Sequence, residues 1–175
     1  MPWLNIFQFF QALTALSPMT LKPDPYDRVL LAALQDDGRV PQSELGQRAH
    51  LSTAAVNRRL KLLQGAGVIE RFSACLNPKA LGYDLTVITE VKAENERADL
   101  LDAMQRRFAA CPQVQQCYYV AGAWDFVLIF LLRSMDQYVE LTRELFFESG
   151  NVKSFNTLVA MNRVKTGQAV PIDPV

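Results

Sequence analysis

The chain has 175 residues, half of them hydrophobic and 21% charged, which suits one ordinary domain or two small ones and excludes a disordered chain. Its net charge is zero, yet residues 22–80 carry nine Lys and Arg against six Asp and Glu, while residues 81–175 carry nine against twelve, so only the front half suits a polyanion. Cys75, Cys111 and Cys117 show no CxxC spacing and His50 is the only histidine, which argues against a disulfide framework, a thiol zinc site or a histidine-cluster metal centre.

Residues 1–21 carry no charged side chain. A secretory signal would want basic residues at its start, and a membrane span would want about 20 mostly apolar residues. Here Pro2, Asn5, Gln8, Gln11, Thr14, Ser17 and Pro18 interrupt the run. The spacing of Leu4, Phe7, Phe10 and Leu13 fits an amphipathic helix, with a true start at Met19 as the alternative. Either way the expected location is the cytoplasm, with reduced thiols and no membrane partner.

From Asp24 the pattern predicts three helices in quick succession. Asp24 can cap the first, with Pro25 at its first position and Val29, Leu30, Ala33 and Leu34 on its buried face, and Gly38 ending it. A short second helix runs from about Pro41 to Ala49 with Leu45 and Ala49 inward. "HLS" then makes a tight turn whose corner, His50, sits where a left-handed residue is wanted. Ser52 caps the third helix.

On that third helix Val56, Leu60 and Leu63 form one buried stripe, which leaves Thr53, Ala54, Asn57, Arg58 and Lys61 on the opposite face. Arg48, Arg58, Arg59 and Lys61 lie between the flanking acids Glu44 and Glu70 with no carboxylate among them. Small residues at the helix start allow close approach to DNA, and Asn and Arg pair bidentately with base edges. That is the geometry of a helix-turn-helix with its second helix in the major groove. The expected DNA-binding set is Ser52, Thr53, Ala54, Asn57, Arg58, Arg59 and Lys61, with Arg59 to one side, meeting a phosphate or an acid. A three-helix bundle with a solvated basic face is the alternative. Gly65 and Gly67 stop the helix, and "VIERFSACL" alternates as the strand of a wing would.

"NPKALGYD" marks a linker, after which the period changes. "DLTVITEVKA" reads as a strand, and Arg97 to Ala110 as a helix with Leu100, Leu101, Met104 and Phe108 inward. "VQQCYYV" and "DFVLIFLL" are two strands around "AGAW". Met135 to Phe147 is a second helix, and "VKSFNTLVAM" the last strand. The order βαββαβ is the ferredoxin-like split motif. The strongly apolar "DFVLIFLL" needs cover from helices on one side and a second subunit on the other. The expected class is therefore α+β, and the expected organisation is an uncharged extension (1–21), a winged helix-turn-helix (22–76), a linker (77–83), a ferredoxin-like domain (84–168) and a tail (169–175).

In "AGAWD", Ala121 to Asp125, a glycine lets backbone approach a ligand and an acid can meet an ammonium group; read bare, it is a hairpin turn. Tyr119 and Trp124 could wall such a site, with packing the favoured role for Tyr119.

Residues 25–69 resemble the winged helix-turn-helix of the Lrp/AsnC (leucine-responsive/asparagine-responsive) family of transcriptional regulators. The matches are Asp27, Leu34-Gln35, Gly38-Arg39, Leu45, Leu51-Ser52, Val56, Arg59, Leu63 and Gly67-Val68-Ile69. Gly46 and His50 depart from the family's usual Ala and Gly. The βαββαβ half is similar to the family's amino-acid-sensing domain, so the resemblance covers roughly residues 24–168. It implies double-stranded DNA and a small amino acid as partners, with dimers assembled into larger oligomers. It also implies that Ala121, Gly122, Trp124 and Asp125 form an effector loop; Gly122 and Asp125 match the family's Gly-x-x-Asp, and Ala121 replaces its usual Thr or Ser.

The expected function is thus a sequence-specific, amino-acid-responsive transcriptional regulator, with no catalytic residues, cofactor or metal. The alternatives are an amino-acid-sensing module of a partner enzyme, and a siroheme-processing relative, which would want histidines in its cleft.

Overall fold

The computed structural model describes residues 21–148 and 150–172, so the expected amphipathic helix of the extension lies outside the described residues. The described chain divides into two units. One ends at Ala74 and takes up the chain again from Gly167; the other is Cys75–Thr166. No helix of the described residues is long and apolar enough to cross a membrane.

The first unit contains α1 (Pro25–Asp36), α2 (Gln42–Ala49) and α3 (Thr53–Gly65). Asp24 accepts from the Asp27 backbone while Asp27 accepts from the Asp24 backbone, a reciprocal cap behind Pro25. Helix α1 ends at Asp36, ahead of Gly38. Leu30, Ala33, Leu45, Ala49 and Val56 form the small core, with Val29, Leu34 and Leu60 packed on it, as the periodicity predicts.

The turn between α2 and α3 rests on two residues. His50 stands at φ 54°, ψ 42° in the left-handed region, the expected corner. The Leu51 N–H then bonds to Gly46 O at 2.8 Å. A Cβ on Gly46 would lie 2.6 Å from Leu51 O and 3.7 Å from Val56 Cγ2. Glycine at position 46 therefore leaves room for this turn to close so tightly. Gly46→Ala is expected to lower unfolding stability by about 1–3 kcal/mol, the usual range for overpacking, which a denaturant titration would read. An unchanged midpoint would show that the turn relaxes freely.

Gly67 (φ 72°) reverses the chain after α3, and the Val68 and Ile69 N–H groups both return to Leu63 O. The expected wing strand is not formed. Residues 70–76 are exposed and pair with no strand, because alternation alone does not supply a ladder partner.

The second unit opens with a 3₁₀ turn, Lys79–Leu81, closed by Gly82 at φ 78°. Then follow β1 (Leu85–Ala93), α4 (Ala98–Ala110), β2 (Val114–Tyr119), β3 (Phe126–Leu132), α5 (Met135–Thr142, continuing as a π turn over Arg143–Phe147) and β4 (Val152–Val159). The sheet order β2-β3-β1-β4, with every pair antiparallel, is the split βαββαβ arrangement.

Burial alternates along β1 from Thr86 onward and along the whole of β3. One face, with Val87, Val91, Phe126, Leu128, Phe130 and Leu132, lies under Leu101, Met104, Phe108, Tyr138, Leu145 and Phe146 of the helices. Phe108 meets Phe126 and Phe146 edge-on, with centroids 5.3 and 6.0 Å away. The buried Thr89 hydroxyl is satisfied by Tyr138 Oη at 2.9 Å, and that oxygen reaches Thr157 at 2.7 Å. On the other face Ile88 lies opposite Ile129 on one side and Leu158 on the other, and these residues are only partly buried or exposed.

Candidate nucleic-acid interface and effector loop

Helix α3 is fixed from three sides. Ser52 Oγ accepts from the Ala55 N–H at 3.2 Å, so this hydroxyl serves as the helix cap. Val56 and Leu63 are fully buried. The third fixture is Arg59, whose guanidinium bonds to Asp24 at 2.7 Å and Asp27 at 2.9 Å and lies over the Tyr26 ring at 5.3 Å.

Of the two partners expected for Arg59, the structure supplies the acid. The guanidinium is engaged within the unit by two carboxylates. Asp24 lies below the usual carboxylate range, chiefly because the Asp27 N–H donates to it, with Arg59 adding to the effect. Arg59 is pushed above the usual arginine value by Asp24 and Asp27. The clamp ties the start of α1 to the middle of α3.

Thr53, Ala54, Asn57, Arg58 and Lys61 are all exposed; Ala54, Arg58 and Lys61 lie across α3 from Val56 and Leu63, Asn57 flanks them, and Thr53 lies at the edge of the buried stripe, in line with Leu60. Ala54, Asn57, Arg58, Lys61 and Leu62 line one open surface depression. Leu62, 58% exposed, was not among the sequence-derived candidates; it lies one turn beyond Arg58. Arg48 pairs with Glu44 at 2.6 Å one helix away. The lone His50 is the exposed corner of the turn, so the second unit contains no histidine.

In the second unit, the loop Ala121–Trp124 joins β2 to β3 and is closed by the Val120 N–H bonding to Asp125 O at 2.8 Å. Asp125 is buried, and both its carboxylate oxygens are engaged. Oδ1 accepts from Lys92 Nζ at 3.0 Å and Oδ2 from the Ala93 N–H at 2.8 Å. The β1–β3 ladder ends at the pair Val91–Phe126, so the Ala93 N–H, on the same edge of β1, lies beyond the last β3 partner and Asp125 takes it. Asp125 also raises the Lys92 pKa, with Glu96 at 3.5 Å contributing.

The acid expected to receive a ligand's ammonium thus already holds a lysine ammonium and a backbone donor. A carboxylate has about four lone-pair sites, so a further donor still finds an acceptor there. Gly122 differs. It has no positive φ, and a Cβ built on it would meet nothing within 4 Å. Nothing inside the described chain requires glycine at this position. Ala121 is exposed and Trp124 half-buried, while Tyr119 tilts against Phe126 at 5.2 Å, the packing role favoured for it.

Cys75, Cys111 and Cys117 are free, and burial raises the Cys117 thiol above its ordinary value, which makes it a poor nucleophile. Among the described residues no three His, Cys, Asp or Glu side chains converge as a metal site needs.

Comparison with known proteins places names on both units. Residues 23–70 match a winged helix-turn-helix DNA-binding model, and residues 86–170 match the Lrp/AsnC ligand binding domain. An uncharacterized HTH-type transcriptional regulator of Sinorhizobium fredii is 40% identical over 90% of this chain and 94% of its own length. The leucine-responsive regulatory protein of Rhizobium meliloti is 33% identical over 85% of this chain and 96% of its own. Among solved structures, a feast or famine regulatory protein of Mycobacterium tuberculosis complexed with L-methionine superposes with a TM-score of 0.78. It is 29% identical, over 87% of this chain and all of its own.

Proposed function

This chain belongs to the Lrp/AsnC family of transcriptional regulators, and we propose that it reads a specific operator with α3 and answers to a small amino acid at the Ala121–Asp125 loop. The observation that carries the first half is the division of α3. One side is locked by Val56, Leu63 and the Arg59 clamp, while the other offers Asn57, Arg58 and Lys61 behind a start of small residues. A preorganised helix of this kind enters the major groove with its side chains already placed. Thr53 and Ala54 permit the approach, Asn57 and Arg58 read base edges, and Lys61 meets backbone phosphate. Anisotropy titrations against selected and random duplexes test this, and each phosphate contact adds about −0.9 to the salt slope.

The protein works in the cytoplasm as a homodimer, and dimers assemble further. The support is the second face of the sheet, where Ile88, Val127, Ile129, Leu131 and Leu158 are partly buried or exposed and belong to neither core cluster of the described residues. An antiparallel sheet can leave one face to water, but such a face is ordinarily polar. A second copy is the cover that its apolar character asks for, and two subunits place two α3 helices for a two-fold operator.

For the effector, Gly122 is the informative residue. The fold gives no internal reason for glycine there, so the reason lies in what approaches the loop. Backbone N–H groups of the loop receive the α-carboxylate, and the ammonium joins the acceptors of Asp125. The class is amino acids of the kind held by the M. tuberculosis relative, and the replacement of the family's usual hydroxyl by Ala121 tunes the preference. Gly122→Val is expected to leave the melting temperature unchanged and to weaken amino-acid binding more than tenfold by calorimetry. Undiminished binding would move the effector away from this loop.

A further inference from the structure

The end of the chain is tied back to the DNA-binding unit by a contact that operator reading and effector binding leave unused. From Gly167 onward the chain belongs to the unit that holds α1, α2 and α3, although Cys75–Thr166 forms the other unit. The polypeptide therefore crosses between units twice. Beyond the second crossing, the Val170 N–H donates to Gln35 Oε1 at 2.6 Å, and Gln35 Nε2 donates to Val170 O at 3.1 Å. An extended residue offers its own N–H and C=O on one side, which is how paired strand residues exchange both bonds. Here the primary amide of Gln35 stands in for the neighbouring strand. Pro171 follows, and a residue before proline is held away from the helical region, so the tail arrives already shaped for the contact.

Helix α1 joins this contact to the reading helix. Gln35 lies in its last turn, while Asp24 and Asp27 at its start hold Arg59 of α3. A helix of this length spans about 18 Å as one stiff element. The path from the end of β4 thus runs through the tail, Gln35, α1 and the Asp24–Asp27–Arg59 clamp to Arg58 and Lys61. Every step on it is a covalent connection or a hydrogen bond. Two hydrogen bonds at an exposed site are weak enough to open and reclose, as a switch element must.

We propose that residues 167–172 form a strap, docked on Gln35 of the same chain, that carries the effector's influence from the sensing unit to the reading helix. This rests on reading the chain as an effector-tuned regulator. A connected path is only a candidate for coupling until it is perturbed, so the test must break it at either end.

Gln35→Ala removes one partner and Val170→Pro removes the N–H of the other, both at exposed positions in the full-length protein. Hydrogen exchange of the C-terminal peptide is expected to be severalfold faster in each variant than in the wild type. DNA affinity without effector should stay within about twofold. The factor by which L-methionine or L-leucine shifts that affinity should fall to near one in both variants. Equal exchange in wild type and variants would overturn the docking, and an undiminished factor would overturn the transmission. If no amino acid shifts wild-type affinity, the effector reading fails instead, and the exchange comparison alone decides the strap.

Discussion

Replacing Arg58 by alanine is expected to weaken binding to a cognate operator by roughly 1–3 kcal/mol, about five- to 150-fold, the range for a bidentate base contact. Arg58 is exposed on α3, one turn beyond Ala54 and one short of Leu62, on the side opposite the buried Val56 and Leu63. Among the described residues no acid holds it in the way that Asp24 and Asp27 hold Arg59. Its guanidinium is therefore available to the planar fork of guanine O6 and N7. Binding to random duplex should fall much less, because the phosphate contacts remain. Equal losses on both duplexes would demote Arg58 to a phosphate contact. Arg59→Ala is the useful contrast: it strips the clamp from the nearly buried Asp27, so its loss should appear first as lower stability of the DNA-binding unit.

Asp125→Ala is expected to cost the sensing unit roughly 1–3 kcal/mol of stability, because it leaves the buried Ala93 N–H without an acceptor. The Lys92 pair is partly exposed and adds little. Asp125→Asn keeps an acceptor for Ala93 and should recover most of the loss in a thermal melt. A loss of effector binding in the alanine variant alone would thus reflect a displaced loop. A loss in the asparagine variant at unchanged melting temperature would point to the charge. An alanine variant as stable as the wild type would show that the Ala93 N–H finds water or another partner.

Much of the fold is legible in the chain because the period of its apolar residues differs so cleanly between halves. Helical spacing marks α1 to α3, and the short continuous apolar run of "DFVLIFLL" becomes β3, whose burial alternates residue by residue. The corner at His50 follows from the gap between two helical patterns, and its left-handed backbone agrees. What local pattern could not supply is partnership across long separations. Arg59 meets acids 35 and 32 residues away; the only hint is their place as capping residues at the start of α1. Alternation in "VIERFSACL" describes a face without providing a neighbour, so no wing strand forms there. The partners of Asp125, Lys92 and Ala93, lie 33 and 32 residues away, and the end of the β1–β3 ladder that brings them together leaves no mark in composition. The tail meets Gln35 across 135 residues, beyond the reach of any periodicity. Helix α5 continues as a π turn over Arg143–Phe147, within which Leu145 and Phe146 are buried, and no local pattern in the sequence marks that change of winding.

The account stands most directly on reciprocal coupling between operator and amino acid in the full-length protein. A fragment enriched from genomic DNA by the purified protein would be titrated with and without a saturating amino acid found by calorimetry. That amino acid would then be titrated with and without the fragment. The expected result is tight binding of the selected fragment over random DNA, together with one common factor by which each ligand shifts the other's affinity. No preference for any selected fragment would contradict the DNA-reading role of α3, and a factor of one for every amino acid that binds would contradict the regulatory role of the loop.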